Sequence, residues 1–342
     1  MPSPRSRRWY PLALAFAVGA MPALAQTAVS GPAAPLRLYA GLNKSKGYVV
    51  GAKLSASGLH RFEGDTTWTH LGWSNPRISG VTADPADRSR VYLAAGNGVM
   101  VSRDGGRAWR IPTDWRVTEV QDVAAEPGRG YAGSAYGVWR SDDGGGTWVE
   151  SNAGIPEMKR YTQDIEVDAS TPLRVLAATD GGVYVSTDGA RSWRRAGPDV
   201  TVNDVTQSAS DPRVWYAGTR ERGLMRSGDG GETWQSVAPR FNTTTFFSIS
   251  VDPRDGRRVA AASWGHGVVV STDGGRTWAA RTRGLPSANV YAVIYDANRP
   301  GRLWAATVEA GIFTSDDAGR TWRYAGMNGT LVFDFAFLPD FP

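Results

Sequence analysis

The nine residues "VSTDGGRTW", Val270 to Trp278, recur along the chain, and that recurrence limits what the chain can fold into. Close copies are "VSRDGGRAW" at 101–109, "RSDDGGGTW" at 140–148, "VSTDGARSW" at 185–193, "RSGDGGETW" at 226–234 and "TSDDAGRTW" at 314–322, and a worn copy, "RFEGDTTW", ends at Trp68. Their tryptophans, Trp68, Trp109, Trp148, Trp193, Trp234, Trp278 and Trp322, follow one another at intervals of 41, 39, 45, 41, 44 and 44 residues. A tandem repeat of this period is a set of equal supersecondary units, none of which buries its faces alone. Each interval holds four short β-prone runs separated by Gly, Asp, Asn and Pro, and nothing in it has the length or the 3.6-residue period of a crossover helix. The expectation is an all-β, seven-bladed β-propeller of four-stranded antiparallel blades.

A solenoid of the same units is the alternative, and the two ends of the repeat region argue for a closed ring instead. "LRLYAGL", from Leu36, aligns with second strands such as "RVWYAGT", whereas "LVFDFAFLPD", from Leu331, aligns with first strands such as "VQDVAAEP". The C-terminal strand is thus expected to pair into the N-terminal blade, covering two edges that would otherwise stay open.

Ahead of the repeats, Arg5, Arg7 and Arg8 precede an apolar run and the small-x-small pair Ala23 and Ala25. This pattern reads as a signal peptide over 1–25, followed by a short linker over 26–35 and a single propeller domain over 36–342. The pair Arg7 and Arg8 also allows twin-arginine export. With Cys 0 there is neither a disulfide framework nor a lipid-accepting cysteine, and no later segment is apolar enough to span a membrane. The expected product is a monomer, periplasmic or secreted, without stable membrane insertion. Its net charge of +5 is scattered through turns rather than gathered on a tail or helix face, which argues against nucleic acid. With only His 3, no metal centre is expected, and nothing calls for a cofactor.

In the repeated turn, an aspartate can accept bonds from turn N–H groups while glycines supply backbone conformations that other residues adopt at a cost. Asp104, Asp143, Asp188, Asp229, Asp273 and Asp317 therefore read as structural, because a catalytic centre needs different groups converging once. The repeated turn joins the third and fourth strands, so function is sought on the opposite face, among residues that break the template. In the connections between second and third strands these are Tyr136, Asp180, Arg220, Glu221, Trp264, His266 and Glu309. At or near the starts of the inner strands stand Arg116, Arg160, Tyr161 and Tyr291, with Asp122, Asp164, Asp204 and Asp334, and a long basic segment of the first blade contains Lys44 and Lys46. Tyr136, Arg220, Trp264, His266, Arg116, Arg160, Tyr161 and Tyr291 are candidate ligand-binding residues. Asp180, Glu221 and Glu309 are candidate members of a two-carboxylate catalytic site.

The spacing S-x-D-x-G-x-T-W, carried by Ser271, Asp273, Gly275, Thr277 and Trp278 and their equivalents, resembles the Asp-box or BNR repeat. That repeat occurs in sialidases, xyloglucan-active glycosidases, sortilin-like receptors and photosystem II assembly factors. The resemblance covers the whole repeat region and implies the propeller fold, while these families place function on different surfaces. Sialidase chemistry would call for an R-I-P-like motif and an arginine triad. The chain offers only "NPRISG" around Arg77 and Ile78, with Arg116, Arg160 and Arg220 as the arginines that would have to meet. The reading that follows is a noncatalytic extracytoplasmic propeller that binds a polysaccharide or a protein, as an assembly or recruitment module. The alternative is a glycoside hydrolase working through a carboxylate pair on the face opposite the repeated turns.

Overall fold

The computed structural model describes residues 35–44, 57–74 and 77–340. The expected signal peptide, nearly all of the linker, and Lys46 lie outside these residues. The described residues form seven antiparallel sheets, numbered here as blades 1 to 7 in chain order. Blade 1 is built from both ends of the repeat region: the strand Thr330–Leu338 pairs with Arg37–Lys44, in register from Arg37 opposite Leu338 to Lys44 opposite Thr330. This pairing closes the ring. The inner strands of blades 2 to 7 are Ile78–Ala83, Val120–Glu126, Thr162–Val167, Val202–Gln207, Phe246–Val251 and Val290–Tyr295, and each touches the next around the axis, with Thr330–Leu338 completing the circle.

The central strands of blades 2, 4, 6 and 7 are buried at every position, because each sheet has another sheet against both of its faces. Strands such as "VAAAS" and "GVVVS" accordingly lack the inside-outside alternation of a half-exposed sheet. Outermost strands are short and exposed, two residues in blades 3, 4, 5 and 7. In blade 2 the fourth strand is reduced to one bridge between Val101 and Arg110, beside a three-stranded sheet.

The apolar core is divided into seven clusters, one at each contact between neighbouring blades, and each receives one repeat tryptophan from the later blade. Trp193 of blade 4, for example, packs on Tyr131 and Val138 of blade 3. Five of the seven indole N–H groups find partners, in two ways, and those of Trp109 and Trp148 have none among the described residues. Trp68, Trp193 and Trp322 donate to the preceding blade, at Ala325 O (2.8 Å), Ser151 O (2.8 Å) and Arg281 O (3.3 Å). Trp234 and Trp278 donate instead to Gly231 O and Gly275 O of their own turns, each at 3.0 Å.

These contacts give Trp193 two separable contributions. Trp193→Ala should cost about 3–5 kcal/mol through loss of the buried ring. Trp193→Phe, which keeps a ring but loses the bond to Ser151, should cost about 1–2 kcal/mol. Urea unfolding of the two variants checks both values, and equal costs would show that the bond rather than the packing holds blades 3 and 4 together.

Candidate functional site

The repeated turn fixes which face is available. In blade 6, Gly274 and Gly275 take φ values of +77° and +84°, folding the chain back beneath Asp273. Asp273 Oδ1 accepts from Ser271 Oγ (2.8 Å) and from the N–H groups of Arg276 (3.0 Å) and Thr277 (2.9 Å), and Oδ2 accepts from Thr277 Oγ1 (2.6 Å). Those four bonds fill about all the acceptor sites a carboxylate has. Burial acts to raise this carboxyl, but the bonds from Thr277, Ser271 and Arg276 prevail and hold it at about 2. Asp143, Asp188, Asp229 and Asp317 are bonded in the same manner. In blade 2, Ala108 stands where the turn hydroxyl would be, so Asp104 lacks that bond and keeps those from Ser102 and the Ala108 N–H.

The turn's backbone also ties it to the connection between the first two strands, as in Gly274 N–H to Arg257 O at 2.8 Å. The connections between second and third strands lie at the other end of the sheets, beside the starts of the inner strands. Asp180 N–H donates to Tyr161 O, Arg220 N–H to Thr201 O and Trp264 N–H to Thr245 O.

At that second face every inner strand has a register shift at one place. The extra residue is Phe333, Ser79, Gln121, Gln163, Asn203, Phe247 or Tyr291, taken from blade 1 to blade 7. A bulge frees a backbone N–H from its own ladder, and the preceding blade supplies the acceptor. Asp334 Oδ2 takes the N–H of Val81 (3.0 Å), Asp122 Oδ2 that of Ile165 (3.2 Å), Asp164 Oδ2 that of Val205 (2.8 Å) and Asp204 Oδ2 that of Ile249 (2.7 Å). Ser248 Oγ does the same for Val293 at 3.3 Å. Gly80 holds the equivalent place in blade 2 because Asp122 comes so close that a Cβ on Gly80 would lie 2.3 Å from its Oδ1. The inner-strand aspartates are thus links between blades.

Four aspartates on one axis all have raised carboxyls, and the charge of Asp164 adds to the rise at the other three. Desolvation is the largest cause at each. It takes Asp164 to about 6 and Asp334 to about 7, and with the neighbouring Asp164 it takes Glu166 to about 8. Asp122 and Asp204 also lie well above the usual carboxylate range, through desolvation and the charge of Asp164.

Above these acids the bulge residues form the mouth of the axial channel, a cavity of about 130 Å³. Its wall is divided: Gln121, Gln163 and Asn203 come from blades 3 to 5, and Phe247, Tyr291 and Phe333 from blades 6, 7 and 1. Phe247 and Tyr291 stack with centroids 4.7 Å apart, Phe333 meets Tyr291 edge-on at 5.5 Å, and the Arg77 guanidinium lies 4.9 Å over Phe333. Arg77 also donates to Gln121 Oε1 at 2.9 Å. Arg220 lines the same cavity. Tyr161 sits in the combined field of Glu119, Arg77, Asp180 and Arg220, and burial is the largest cause raising its hydroxyl. Asp180 Oδ1 is buried without a hydrogen-bond partner among the described residues. Trp264, 53% exposed, meets Phe247 at 6.2 Å.

Among the residues singled out in the sequence, the mouth therefore gathers Tyr161, Asp180, Arg220, Tyr291 and Trp264. Tyr136, Arg116 and Arg160 line a separate groove on blade 3, of about 610 Å³, with Trp115, Glu150 and Glu157. The three arginines do not meet as a triad, since Arg116 is held by Asp114 (2.6 Å) and Arg160 contacts Glu150 (3.4 Å), while Arg220 is at the mouth. His266 packs edge-on against Phe241 at 5.2 Å. Glu221 and Glu309 occupy turns of blades 5 and 7, with blade 6 between them, and both have φ near +59°. The carboxylates that converge are instead those of the inner strands. Sequence reading missed Arg77 as a mouth residue and Trp115 altogether. Four of the seven bulge residues, Phe333, Gln121, Gln163 and Asn203, share one signal, a fixed place immediately before the inner-strand aspartates.

Fold and site define a seven-bladed propeller with a polar and aromatic pocket at one end of its axis. No protein-family model matches the chain. It is similar to a xyloglucanase from Paenibacillus sp, 27% identical over 226 residues that cover 58% of this chain and 22% of that protein. The chain thus spans about a fifth of the length of this curated relative. Among solved structures, a GH74 enzyme from Niastella koreensis matches with TM-score 0.67 at 18% identity, over 86% of this chain and 55% of that one. YCF48 from Cyanidioschyzon merolae matches with TM-score 0.58 at 15% identity, over 72% of this chain and 84% of that one. The structural likenesses show the fold, and the sequence likeness is to an enzyme named for a polysaccharide.

The two sets of carboxyls give stability a pH dependence of opposite sign. Unfolded Asp and Glu titrate near pH 4. Between about pH 4 and pH 8 the folded inner ring holds protons that the unfolded chain has released, so stability falls as pH rises through this window. The turn aspartates at about 2 act the other way, and their contribution is lost as pH falls from about 4 towards 2. The melting temperature should peak near pH 4–5. Asp164→Asn, which keeps an oxygen for the Val205 N–H, should flatten the fall between about pH 4 and pH 6. An unchanged fall would mean that Asp164 does not hold its proton.

Proposed function

We propose that the chain is a noncatalytic, extracytoplasmic polysaccharide-binding propeller that seats a sugar unit at the mouth of its axial channel. The observation that carries this reading is the divided wall, with amides on one side and stacked aromatics on the other. A pyranose ring has apolar C–H faces and a rim of hydroxyls. Phe247 and Tyr291 suit the faces, and Gln163, Asn203 and Arg220 suit the hydroxyls. Similarity to a xyloglucanase supports a polysaccharide as the ligand class.

The noncatalytic part rests on what the converging carboxylates already do. Hydrolysis by a carboxylate pair needs one group to protonate the leaving oxygen and another to attack or to activate water. Asp122, Asp164, Asp204 and Asp334 each hold a backbone N–H of the next blade. One observation favours the hydrolase reading: Asp122 and Asp164 hydrogen-bond to each other beneath the amide side of the wall, with carboxyls raised above the ordinary range. Placement outside the cytoplasm rests on Arg5, Arg7, Arg8, Ala23 and Ala25. Mass spectrometry of the exported protein should give Gln26 as its first residue, and an intact Met1 would remove this support.

Binding and turnover are separable on immobilised and soluble xyloglucan. Saturable retention without released products is expected, and Tyr291→Ala should weaken retention about tenfold, equivalent to about 1.4 kcal/mol. Products that disappear in Asp164→Asn would overturn the noncatalytic reading. Retention unaffected by Tyr291→Ala would remove the mouth as the seat.

A further inference from the structure

The groove on blade 3 has features that the fold does not require. Trp115 is 87% exposed and Tyr136 57% exposed, although every contact between blades already has its own aromatic core. Large aromatics left facing water beside a concave surface mark a binding site more often than a folding requirement. The Trp139 indole forms part of the groove wall. It is more than nine-tenths buried, and its Nε1–H has no acceptor among the described residues.

We propose that this groove is a second polysaccharide site, joined to the mouth by chain segments that the two share, in which Trp115 and Tyr136 carry sugar rings of the same chain whose other end occupies the axial cavity. The inference rests on the reading of the mouth as a sugar seat. Two segments build both places. Residues 114–121 give Trp115 and Thr118 to the groove and Gln121 to the mouth. Residues 157–164 give Glu157 and Arg160 to the groove and Gln163 to the mouth. A linear polymer that left the mouth across blade 3 would run along these two segments.

Charge argues for a neutral occupant. Arg116 is held by Asp114 through two nitrogens, with its closest contact at 2.6 Å. Arg160 contacts Glu150 at 3.4 Å, and Glu150 also accepts from Asn152 Nδ2 at 2.9 Å. The rim charges thus largely offset one another. They provide hydrogen-bonding groups for hydroxyls without a field that selects an anion or a cation. Two aromatic platforms and a polar rim of cancelling charge together suit an uncharged glycan.

The test is titration calorimetry of the mature full-length chain with xyloglucan oligosaccharides of graded length. Affinity should rise with length until one oligomer spans mouth and groove, and then level off. Trp115→Ala should weaken the longest oligomer about tenfold and leave the shortest binding oligomer unchanged, with Trp115→Phe recovering part of the loss. Tyr291→Ala should weaken every length. A Trp115→Ala effect that is absent at all lengths, or equal at all lengths, overturns the second site. A Tyr291→Ala variant that still binds the short oligomers normally overturns the mouth reading instead. Absence of binding at any length overturns both.

Discussion

The contact between one blade and the next is the interaction on which everything else in this structure depends. A four-stranded sheet of this size has two faces to cover and no helix to cover them. The ring solves this by placing every sheet between two others. The repeat tryptophan fills the outer part of each contact, and at the inner end most contacts have a side chain bonding across them. Four aspartates and Ser248 take N–H groups freed by bulges in the following blade, and Ser79 donates to Val120 O of blade 3 at 2.8 Å. Closure by Thr330–Leu338 gives blade 1 the inner strand that its N-terminal segment lacks.

Using one device repeatedly around a narrow axis has an electrostatic consequence. Each inner aspartate is sensible by itself, as an acceptor for a buried N–H. Four of them together, buried on one axis with Glu166 nearby, resist full ionisation through lost solvation first and like-charge repulsion second. The turn aspartates avoid this because each meets its own set of donors far from the others. The same residue type is therefore held at about 2 on one face and raised to about 6 or 7 at the axis. Environment alone makes the difference.

Much of the fold was legible in the chain, because its determinants are local and repeated. Tryptophan spacing gives the blade count, and the misaligned ends give the closing strand. Half of the mouth was legible for a similar reason: Tyr161, Asp180, Arg220, Tyr291 and Trp264 break the template at the face opposite the turns. What stayed hidden depends on geometry between blades. Asp122 reads as a surface or channel residue until Ile165, 43 positions later, is seen to donate to it. The bulges were hidden because alternation gives no sign of one extra residue, yet they aim Gln121, Gln163, Asn203, Phe247, Tyr291 and Phe333 into the mouth. Trp115 was hidden because it lies in a connection that varies between blades, with no template residue to depart from.

The two faces differ finally in what their polar groups have left to offer. Asp273 has its acceptor sites filled by its own turn, so a ligand arriving there would have to displace bonds that fold the blade. At the mouth, Asp180 Oδ1 is buried without a hydrogen-bond partner among the described residues, and Gln163, Arg220 and Tyr291 line the cavity. A buried polar group without a partner is costly to a fold, and a ligand able to satisfy it recovers that cost as affinity. The repeated turn thus directs the search for a binding face to the other end of the axis, because its own carboxylates are committed to holding the ring.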